Sequence, residues 1–400
     1  EKSMKKKKLV AMGLVLAMTV SLAACGSSSS GENAATTEEP AATEQTGETT
    51  GTDETAEAGN AEDTATDTAS AEFNPDKDPS GIDWTEMRDQ FGVMPEIPDG
   101  LVVGGLVKQL QNEFWQSLKE GYETAGAQFA EAAGVSLTVD VQAAQDESDE
   151  EGQLTAMNNM INQGYDGILF SPISDSNLTS AVDTCNNGDT TAVNVNDGVA
   201  QNTNYFVGPN AYQNGVLAAQ YIAEQLNYEG QVAIVVGKVS AYAARERTDG
   251  FTDTIAEIAP NIEVVAEQSA DWDRQTAKEL TETWLVQYPD LDAVFSNNDD
   301  MALGVVEAVR EYENETGNHI YVVGVDGNSE AYESIRNNGL DATVDSFPYY
   351  MGMVGMEYMV RELSGQEMPK VVWTPQALIS SENVDADAAD IIGWTDVAFE

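Results

Sequence analysis

The chain has 400 residues, a formal net charge of −51 and a hydrophobic content of 42%. This length fits about two or three domains, and the apolar content permits a sizeable core. Nucleic acid is a poor partner, because phosphate binding needs basic residues and only 18 lysines and arginines stand against 69 aspartates and glutamates.

The N-terminus is typical of a secretory signal. Lysines at 5–8 precede an apolar run over 9–22, which is short for a membrane-spanning helix. The run ends in L-A-A-C-G with Cys25 as its cysteine, which resembles the bacterial lipobox, where the signal is cleaved and the thiol acylated. We therefore expect a lipoprotein signal peptide over 1–25 and lipidation of Cys25 at the extracytoplasmic face of a bacterial cell membrane. An ordinary signal, cleaved after a small-x-small site, is the alternative.

Residues 26–80 are of low complexity, dominated by Ser, Gly, Thr, Ala and Glu. Such a segment buries too little apolar surface to offset its ordering entropy, so a disordered acidic tether is expected. A connecting segment at 81–97 carries aromatic and methionine residues that favour a short helix docked on the folded body. Pro95 and Pro98 are expected to stop it.

From Leu101 onward, apolar β-forming runs alternate with amphipathic helical patterns. Strands are predicted at 101–107, 137–141, 167–170 and 191–195, and helices at 113–133, 154–162 and 176–186. The helical assignments depend on apolar residues recurring at helical spacing. This alternation is typical of βαβ units with a parallel sheet.

A second half repeats the pattern after residue 208. Strands are predicted at 231–236, 264–265, 293–296, 320–325 and 342–345, and helices at 211–226, 244–256, 274–287, 301–312, 330–337 and 349–363. We therefore predict an α/β fold with two Rossmann-like lobes, separated by a cleft that closes about a hinge. With one histidine and two distant cysteines, neither a metal site nor a cofactor is predicted.

Polar residues follow two predicted strands where each strand ends. Asn298 and Asp299 follow the strand at 293–296, and Asp326 follows the strand at 320–325. Ligands of open α/β sheets bind outside the carboxyl ends of the strands, so these residues are expected in the cleft, where Asn and Asp suit a polyhydroxyl ligand. Capping of the next helix is the alternative.

Five motifs, in order, resemble those of the periplasmic binding protein type I family. The motifs are N-E-F-W at 112–115 before S-L-K-E-G at 117–121, A-A-R-E-R at 243–247 before G-F at 250–251, A-D-W-D at 270–273, N-D at 298–299 and G-V-D-G at 324–327. The resemblance covers about residues 101–382 and is greatest to the ribose- and galactose-type sugar receptors of ABC importers. It implies parallel-sheet lobes joined by a three-strand hinge.

The resemblance also implies the ligand contacts. Hydrogen bonds to sugar hydroxyls are expected from Asn112, Arg245, Asn298 and Asp326, and stacking from Phe114, Trp115 and Trp272. Further site positions are Lys108, Asn196, Asp197, Tyr242 and Ser346. Aromatic rings suit the apolar faces of a sugar, and arginine and carboxylate groups suit its hydroxyl edge. For Arg245 a surface ion pair with Glu246 or Asp249 is the alternative.

Lys108, Asn196-Asp197 and Ser346 depart from the ribose-type pattern, so ribose itself is not specified. The implied first lobe comprises 98–208 plus 347–372, and the second 209–346 plus 373–400. Crossings are expected near 208–209, 346–348 and 375.

The function predicted on this basis is capture of a monosaccharide by lobe closure and its delivery to the membrane subunits of an ABC permease, by a monomer without enzymatic activity. A sensor of sugar or a furanosyl signal, feeding a chemoreceptor or sensor kinase, is the alternative. A glycosidase would need a carboxylate pair drawn from Asp197, Asp299, Asp300 and Asp326. A LacI-type repressor shares the fold, but it needs a basic helix-turn-helix, which is not seen here.

Overall fold

The structure is a computed structural model that describes residues 73–196 and 198–399. The expected signal peptide, the expected lipidation site at Cys25, most of the expected tether and Asp197 lie outside the described residues. Within those ranges, none of the helices combines the length and apolar character that crossing a bilayer requires.

The first lobe is built on a seven-stranded sheet. Its strands are β1 (Ile82–Asp83), β2 (Leu101–Val107), β3 (Leu137–Ala143), β4 (Gly167–Phe170), β5 (Thr191–Val195), β6 (Phe206–Gly208) and β12 (Val371–Trp373). They lie in the order β1-β12-β6-β5-β4-β2-β3, and every neighbouring pair is parallel. The helices of this lobe are α1 (Trp84–Phe91), α2 (Glu113–Ala133), α3 (Glu150–Asn162), α4 (Thr179–Asn186) and α10 (Pro348–Leu363).

The second lobe is built on a six-stranded sheet. Its strands are β7 (Glu229–Val236), β8 (Asn261–Ser269), β9 (Ala293–Ser296), β10 (Tyr321–Asp326), β11 (Ala342–Asp345) and β13 (Ala377–Ser380), in the order β13-β11-β10-β9-β7-β8. Its helices are α5 (Ala211–Gln225), α6 (Tyr242–Ile258), α7 (Arg274–Gln287), α8 (Asp299–Thr316), α9 (Ser329–Arg336) and α11 (Ala388–Ile392). Only β13 pairs antiparallel among these strands. The predicted α/β fold with parallel sheets in two lobes is confirmed.

The described chain passes between the two sheets three times: from β6 to α5, from β11 to α10, and from β12 to β13. Gln376, in the third passage, accepts the backbone N–H of Asn210 at 2.8 Å and donates to Oδ1 of Asn214 at 2.9 Å. The first and third passages are therefore hydrogen-bonded to each other.

Helix α10 returns to the first lobe because two glycines let it approach α2 closely. A Cβ on Gly121 would lie 2.0 Å from the carbonyl oxygen of Tyr349, and one on Gly352 would lie 2.4 Å from that of Leu118. Any larger side chain would push the helices apart, so this contact depends on glycine at both positions.

Residues near both ends of the described chain pack together on the first lobe. The rings of Trp84 and Trp394 stack 5.1 Å apart, and the guanidinium of Arg88 lies 4.8 Å and 4.2 Å from their centroids. Arg88 Nε also donates to buried Glu357 at 2.8 Å. The segment around Trp394 lies within the range 373–400 that was expected in the second lobe, but an aromatic and ionic contact holds it on the first lobe.

Candidate functional site

A cavity of about 500 Å³ lies between the lobes, at the carboxyl ends of the parallel strands. Four of the strands that border it contribute a residue one or two positions after their last residue. Lys108 follows β2, Asn196 follows β5, Lys238 follows β7 and Asn298 follows β9. This is the edge at which open α/β sheets bind ligands, and small-ligand cavities typically measure about 300–1,000 Å³.

The structure brings most of the predicted site residues together. The cavity wall contains Lys108, Asn112, Phe114, Trp115, Asn196, Tyr242, Trp272, Asn298 and Asp326. Arg245 and Ser346 do not belong to this wall, and Asp197 is outside the described residues. Side chains that the sequence did not single out for the site also line the cavity, namely Glu147, Asp175, Lys238, Arg247 and Asp271.

The arginine motif presents Arg247 to the cavity, in place of the expected Arg245. Arg247 has a side chain only 3% exposed, donates to the carbonyl of Asn297 at 2.7 Å and lies 3.3 Å from Oδ1 of Asp326. Residues two apart on a helix of 3.6 residues per turn point about 200° apart, so α6 directs only one of the two arginines inward. The motif A-R-E-R does not indicate which of the two arginines faces the cavity.

Arg245 lies at the rim of the cleft, with a side chain 46% exposed. It donates to the carbonyl of Ser240 at 2.6 Å, and its Nη2 lies 3.5 Å from Oδ2 of Asp175. The ion pair expected as an alternative is therefore present, but its partner belongs to the opposite lobe and not to the neighbouring turn of α6.

Ser346 lies in the second passage between the lobes and not in the cavity wall. Its side chain is buried, and Oγ makes no hydrogen bond to the part of the chain that the structure describes. The next residue, Phe347, has a φ of 44°, a left-handed conformation that is uncommon for a bulky residue. This position belongs to the hinge.

Asn112 and Asn298 are both helix caps and cavity residues. Oδ1 of Asn112 accepts the N–H of Phe114 at 2.8 Å, and Oδ1 of Asn298 accepts the N–H of Met301 at 3.0 Å. A cap uses only the amide oxygen, whereas the NH₂ group supplies two donors. The capping alternative and a ligand-binding role are therefore compatible at both positions.

Trp272 is brought to the cavity by a sharp turn between β8 and α7. Asp271 and Trp272 have φ values of 51° and 66°, in the left-handed region that side chains other than glycine seldom adopt. The indole lies against Gly237, where an added Cβ would come within 2.1 Å of the ring. Gly237 therefore leaves the space that the ring occupies.

Phe114 and Trp115 differ in how much surface they offer. Trp115 is 4% exposed, and its Nε1 donates to Glu147 at 3.0 Å. Phe114 is only partly buried and meets Trp115 edge to face with centroids 5.0 Å apart. Lys108 Nζ lies 5.3 Å from the Trp115 centroid. Phe114 is thus the better placed of the two for stacking, and Trp115 supports it.

Two buried carboxyl groups lie beneath the loop after β10. Asp299 accepts N–H groups of Gly327 and Asn328 at 2.8 and 3.1 Å and the hydroxyl of Thr343 at 2.7 Å. Burial raises the pKa of Asp299 because it disfavours the charged form. The nearby Asp345 carboxyl raises it further, whereas the three hydrogen bonds lower it. Burial also raises the pKa of Asp345 to about 7. Because Asp299 bonds to the loop and does not line the cavity, it cannot serve as one of a glycosidase's two catalytic carboxylates.

Metal chemistry has no candidate site in the described part of the chain. No group of three His, Cys, Asp or Glu side chains between 73 and 196 or between 198 and 399 is arranged to hold an ion. What the cavity offers is aromatic surface, amide groups and charged groups of both signs, which suit non-covalent binding of a small polar ligand.

The periplasmic binding protein domain profile matches residues 103–367. The ribose import binding protein of Bacillus subtilis is 33% identical over 278 residues, which are 69% of this chain and 86% of that protein. The D-allose-binding periplasmic protein of Escherichia coli is 32% identical over 274 residues, 66% of this chain and 85% of that one.

Solved structures with the same architecture carry bound monosaccharides or cyclitols. A periplasmic solute-binding protein of Actinobacillus succinogenes with bound D-allose has a TM-score of 0.65 and 26% identity, and the match covers 71% of this chain and 99% of that one. A solute-binding protein of Bacillus halodurans with bound myo-inositol has a TM-score of 0.63 and 27% identity, covering 72% and 96%.

Proposed function

The chain belongs to the periplasmic binding protein family, and from that premise we propose that it is an extracytoplasmic receptor that captures a monosaccharide by lobe closure and delivers it to an ABC importer. Its family relatives are binding proteins and not enzymes, and the proposed activity is binding without turnover.

The observation that carries the proposal is the pairing of Arg247 with Asp326 in a cavity that also holds exposed aromatic surface. A sugar has apolar C–H faces and a hydroxyl rim. Rigid rings bury the faces at little entropic cost, and a charged donor beside a charged acceptor can bind adjacent hydroxyls through charge-assisted hydrogen bonds. Phe114 and Trp272 supply the rings.

We assign the ligand contacts accordingly. Asp326 accepts from hydroxyls, and Arg247 donates to them in place of Arg245. Asn112 and Asn298 donate through the NH₂ groups that capping leaves available. Lys108, Asn196, Asp197 and Tyr242 complete the proposed set, while Trp115 supports Phe114 and Ser346 belongs to the hinge.

Closure of the lobes is supported by two contacts across the cleft. Arg245 of the second lobe approaches Asp175 of the first at 3.5 Å. The hydroxyl of Ser329, at the start of α9, donates to Glu113 at the start of α2 at 2.5 Å. Both contacts need the lobes to be close, so a ligand that binds both walls shifts the open–closed equilibrium towards this arrangement. The importer would recognise that shift.

Transport is favoured over sensing because the similar Bacillus subtilis protein is an import binding protein. The monomeric state and the lobe boundaries at 98–208 plus 347–372 and 209–346 plus 373–400 are part of the proposal, with three changes. We add to the first lobe Ile82–Asp83, which pair with β12, Trp373, the last residue of β12, and residues 394–399, of which Trp394 stacks on Trp84.

Anchoring by a lipid on Cys25 is supported by the lipobox and the preceding apolar run. A Cys25→Ser variant should then be released from the membrane fraction, while the unaltered protein stays with it and incorporates labelled fatty acid. Equal release of both proteins would contradict anchoring at this cysteine.

Calorimetry tests the binding function. The protein is unfolded and refolded to remove bound ligand, then titrated with D-ribose, D-allose, D-glucose, D-galactose, D-xylose, L-arabinose and myo-inositol. We expect one of them to bind, and Asp326→Ala to abolish that binding. Asp249→Ala, an exposed residue of the same helix as Arg247, is the matched control. Absence of heat with every sugar would contradict the proposal.

A further inference from the structure

Residues 73–78 lie along the second lobe, although the strand that follows them belongs to the first. Asn74 Nδ2 donates to Glu246 at 3.3 Å, and Oδ1 of Asn74 accepts the Tyr242 hydroxyl at 3.2 Å. The backbone N–H of Asp76 donates to the same hydroxyl oxygen at 3.3 Å, and its carboxylate accepts the N–H of Tyr212 at 3.4 Å. These partners belong to α5 and α6.

The chain then enters the first lobe. Ile82 pairs with Val372 at the edge of the first sheet, and Trp84 and Met87 are buried in that lobe's core. Residues 73–83, here called the strap, therefore contact both lobes. The strap precedes the residues that match the family domain, which begin at 103.

Tyr242 connects the strap to the cavity. It is 6% exposed, lines the cavity and belongs to a buried hydrophobic cluster with Val199, Phe206 and Val371 of the first lobe. It is also the first residue of α6, whose preceding residue, Ala241, offers no side-chain cap. The hydroxyl bonds to the strap therefore help to fix the end of the helix that carries Arg247.

The strap is inserted into this position and does not merely lie on the surface. Phe73 packs against the cluster around Tyr242, and burial raises the pKa of the Asp76 carboxyl to about 6. Lys77 Nζ lies 3.9 Å from Glu246, which adds a charge contact to the same helix.

We propose that Asn74 and Asp76 are positioning residues of the ligand site: the strap holds Tyr242 and the start of α6 against the first lobe and so favours the closed arrangement. The inference rests on the proposed sugar-binding function for its effect on affinity, but the contact itself can be measured without a ligand.

The test uses the intact chain and three variants. Tyr242→Phe keeps the ring and removes the hydroxyl, Asn74→Ala removes its acceptor, and the third variant combines them. Each single change should weaken binding of the sugar that the unaltered protein prefers roughly two- to twelvefold, the effect of losing one hydrogen bond, mainly by faster dissociation. Both changes remove the bond between the Tyr242 hydroxyl and Asn74, and each removes one further bond. The double variant should therefore lose less affinity than the two single losses combined. Asp78→Ala, whose carboxylate bonds only within its own turn to Ser80, is the control.

Hydrogen exchange in the absence of sugar separates this inference from the proposed function. The segment over residues 73–78, which excludes the Ser80 N–H that Asp78 accepts, should exchange faster in Tyr242→Phe and Asn74→Ala than in the unaltered protein and in Asp78→Ala. Unchanged exchange would overturn the strap contact whatever the protein binds. Faster exchange with unchanged sugar affinity would overturn the positioning role alone. If the unaltered protein binds no sugar, the proposed binding function is wrong, and so is the proposed effect of the strap on sugar affinity. Hydrogen exchange then still decides whether the strap contact exists.

Discussion

The carboxylate of Asp299 accepts the backbone N–H of Gly327 at 2.8 Å, so a buried acid at the start of α8 holds the loop that presents Asp326 to the cavity. Asp299→Ala would leave two loop N–H groups and the Thr343 hydroxyl without their acceptor. A buried polar group left without a partner costs about 1–3 kcal/mol. We therefore expect the free energy of unfolding in urea to fall by about 3 kcal/mol and the sugar affinity to fall with it. Asp300→Ala is the control, because the loop N–H groups bond to Asp299 and not to its neighbour. An equal loss of stability in Asp300→Ala would contradict the role of Asp299 in holding the loop.

Stability should depend on pH through Asp345. Burial raises the pKa of Asp345 to about 7, whereas the pKa of an aspartate in an unfolded chain is about 4. Between those values the folded chain holds a proton that the unfolded chain has lost, so this group's contribution to stability falls as pH rises through the window from about 4 to about 7. Asp345→Asn mimics the protonated form.

Thermal unfolding measured across that window checks this prediction. The variant should lose less stability than the unaltered protein as pH rises. Parallel curves would show that Asp345 is ionised in the fold throughout. Because general repulsion in a chain of net charge −51 also increases with pH, only the difference between the two proteins is informative.

Gly237→Ala should damage the site more than the fold. The added methyl would lie 2.1 Å from the Trp272 indole, so the ring must leave its position. Because burying apolar surface of this size contributes a few kcal/mol, we expect sugar affinity to fall by at least about tenfold. Gly355→Ala is the control, since its nearest neighbour would lie at an ordinary 3.4 Å. Normal affinity in the Gly237 variant would mean that Trp272 does not contact the ligand.

The two arginines of α6 should differ in effect. Arg247→Met removes the guanidinium that lies 3.3 Å from Asp326 in a largely buried site. Losing one member of a buried charge pair costs on the order of 3 kcal/mol, so we expect the sugar affinity to fall by more than about a hundredfold. Arg245→Met removes a half-exposed pair worth no more than about 1 kcal/mol, so the affinity should fall by about fivefold or less. Calorimetry of both variants decides between them, and the reverse ranking would restore Arg245 as the ligand contact.

The sequence predicts the larger elements well because their signals are local. The apolar run over Leu101–Val107 predicts a strand, and the apolar spacing of Glu113–Ala133 predicts a helix. Neither prediction needs information from the rest of the chain. The three-residue strands Phe206–Gly208 and Val371–Trp373 cannot be predicted from local sequence patterns. A segment of this length has no measurable period, and its pairing depends on partners far along the chain.

The site shows the same limit. Asn298 and Asp326 could be predicted because they follow strong strand signals. The choice between Arg245 and Arg247 depends on the rotation of α6 about its axis, which packing sets and the motif does not encode. Glu147 lines the cavity, where it accepts from Trp115 Nε1 and Gln109 Nε2. These contacts join separate elements, so no local pattern in the sequence predicts them.

Strand β12 lies between β1 and β6 in the first sheet, although it is synthesised after β7–β11, five strands of the second lobe. Synthesis proceeds from the N-terminus, so β1 has no neighbour and β6 keeps an open edge until Val371–Trp373 emerges. The two lobes therefore cannot be completed one after the other. An interrupted chain that lacks this strand would present an unpaired sheet edge, which is a template for aggregation, and its fate would depend on how quickly the last segment arrives.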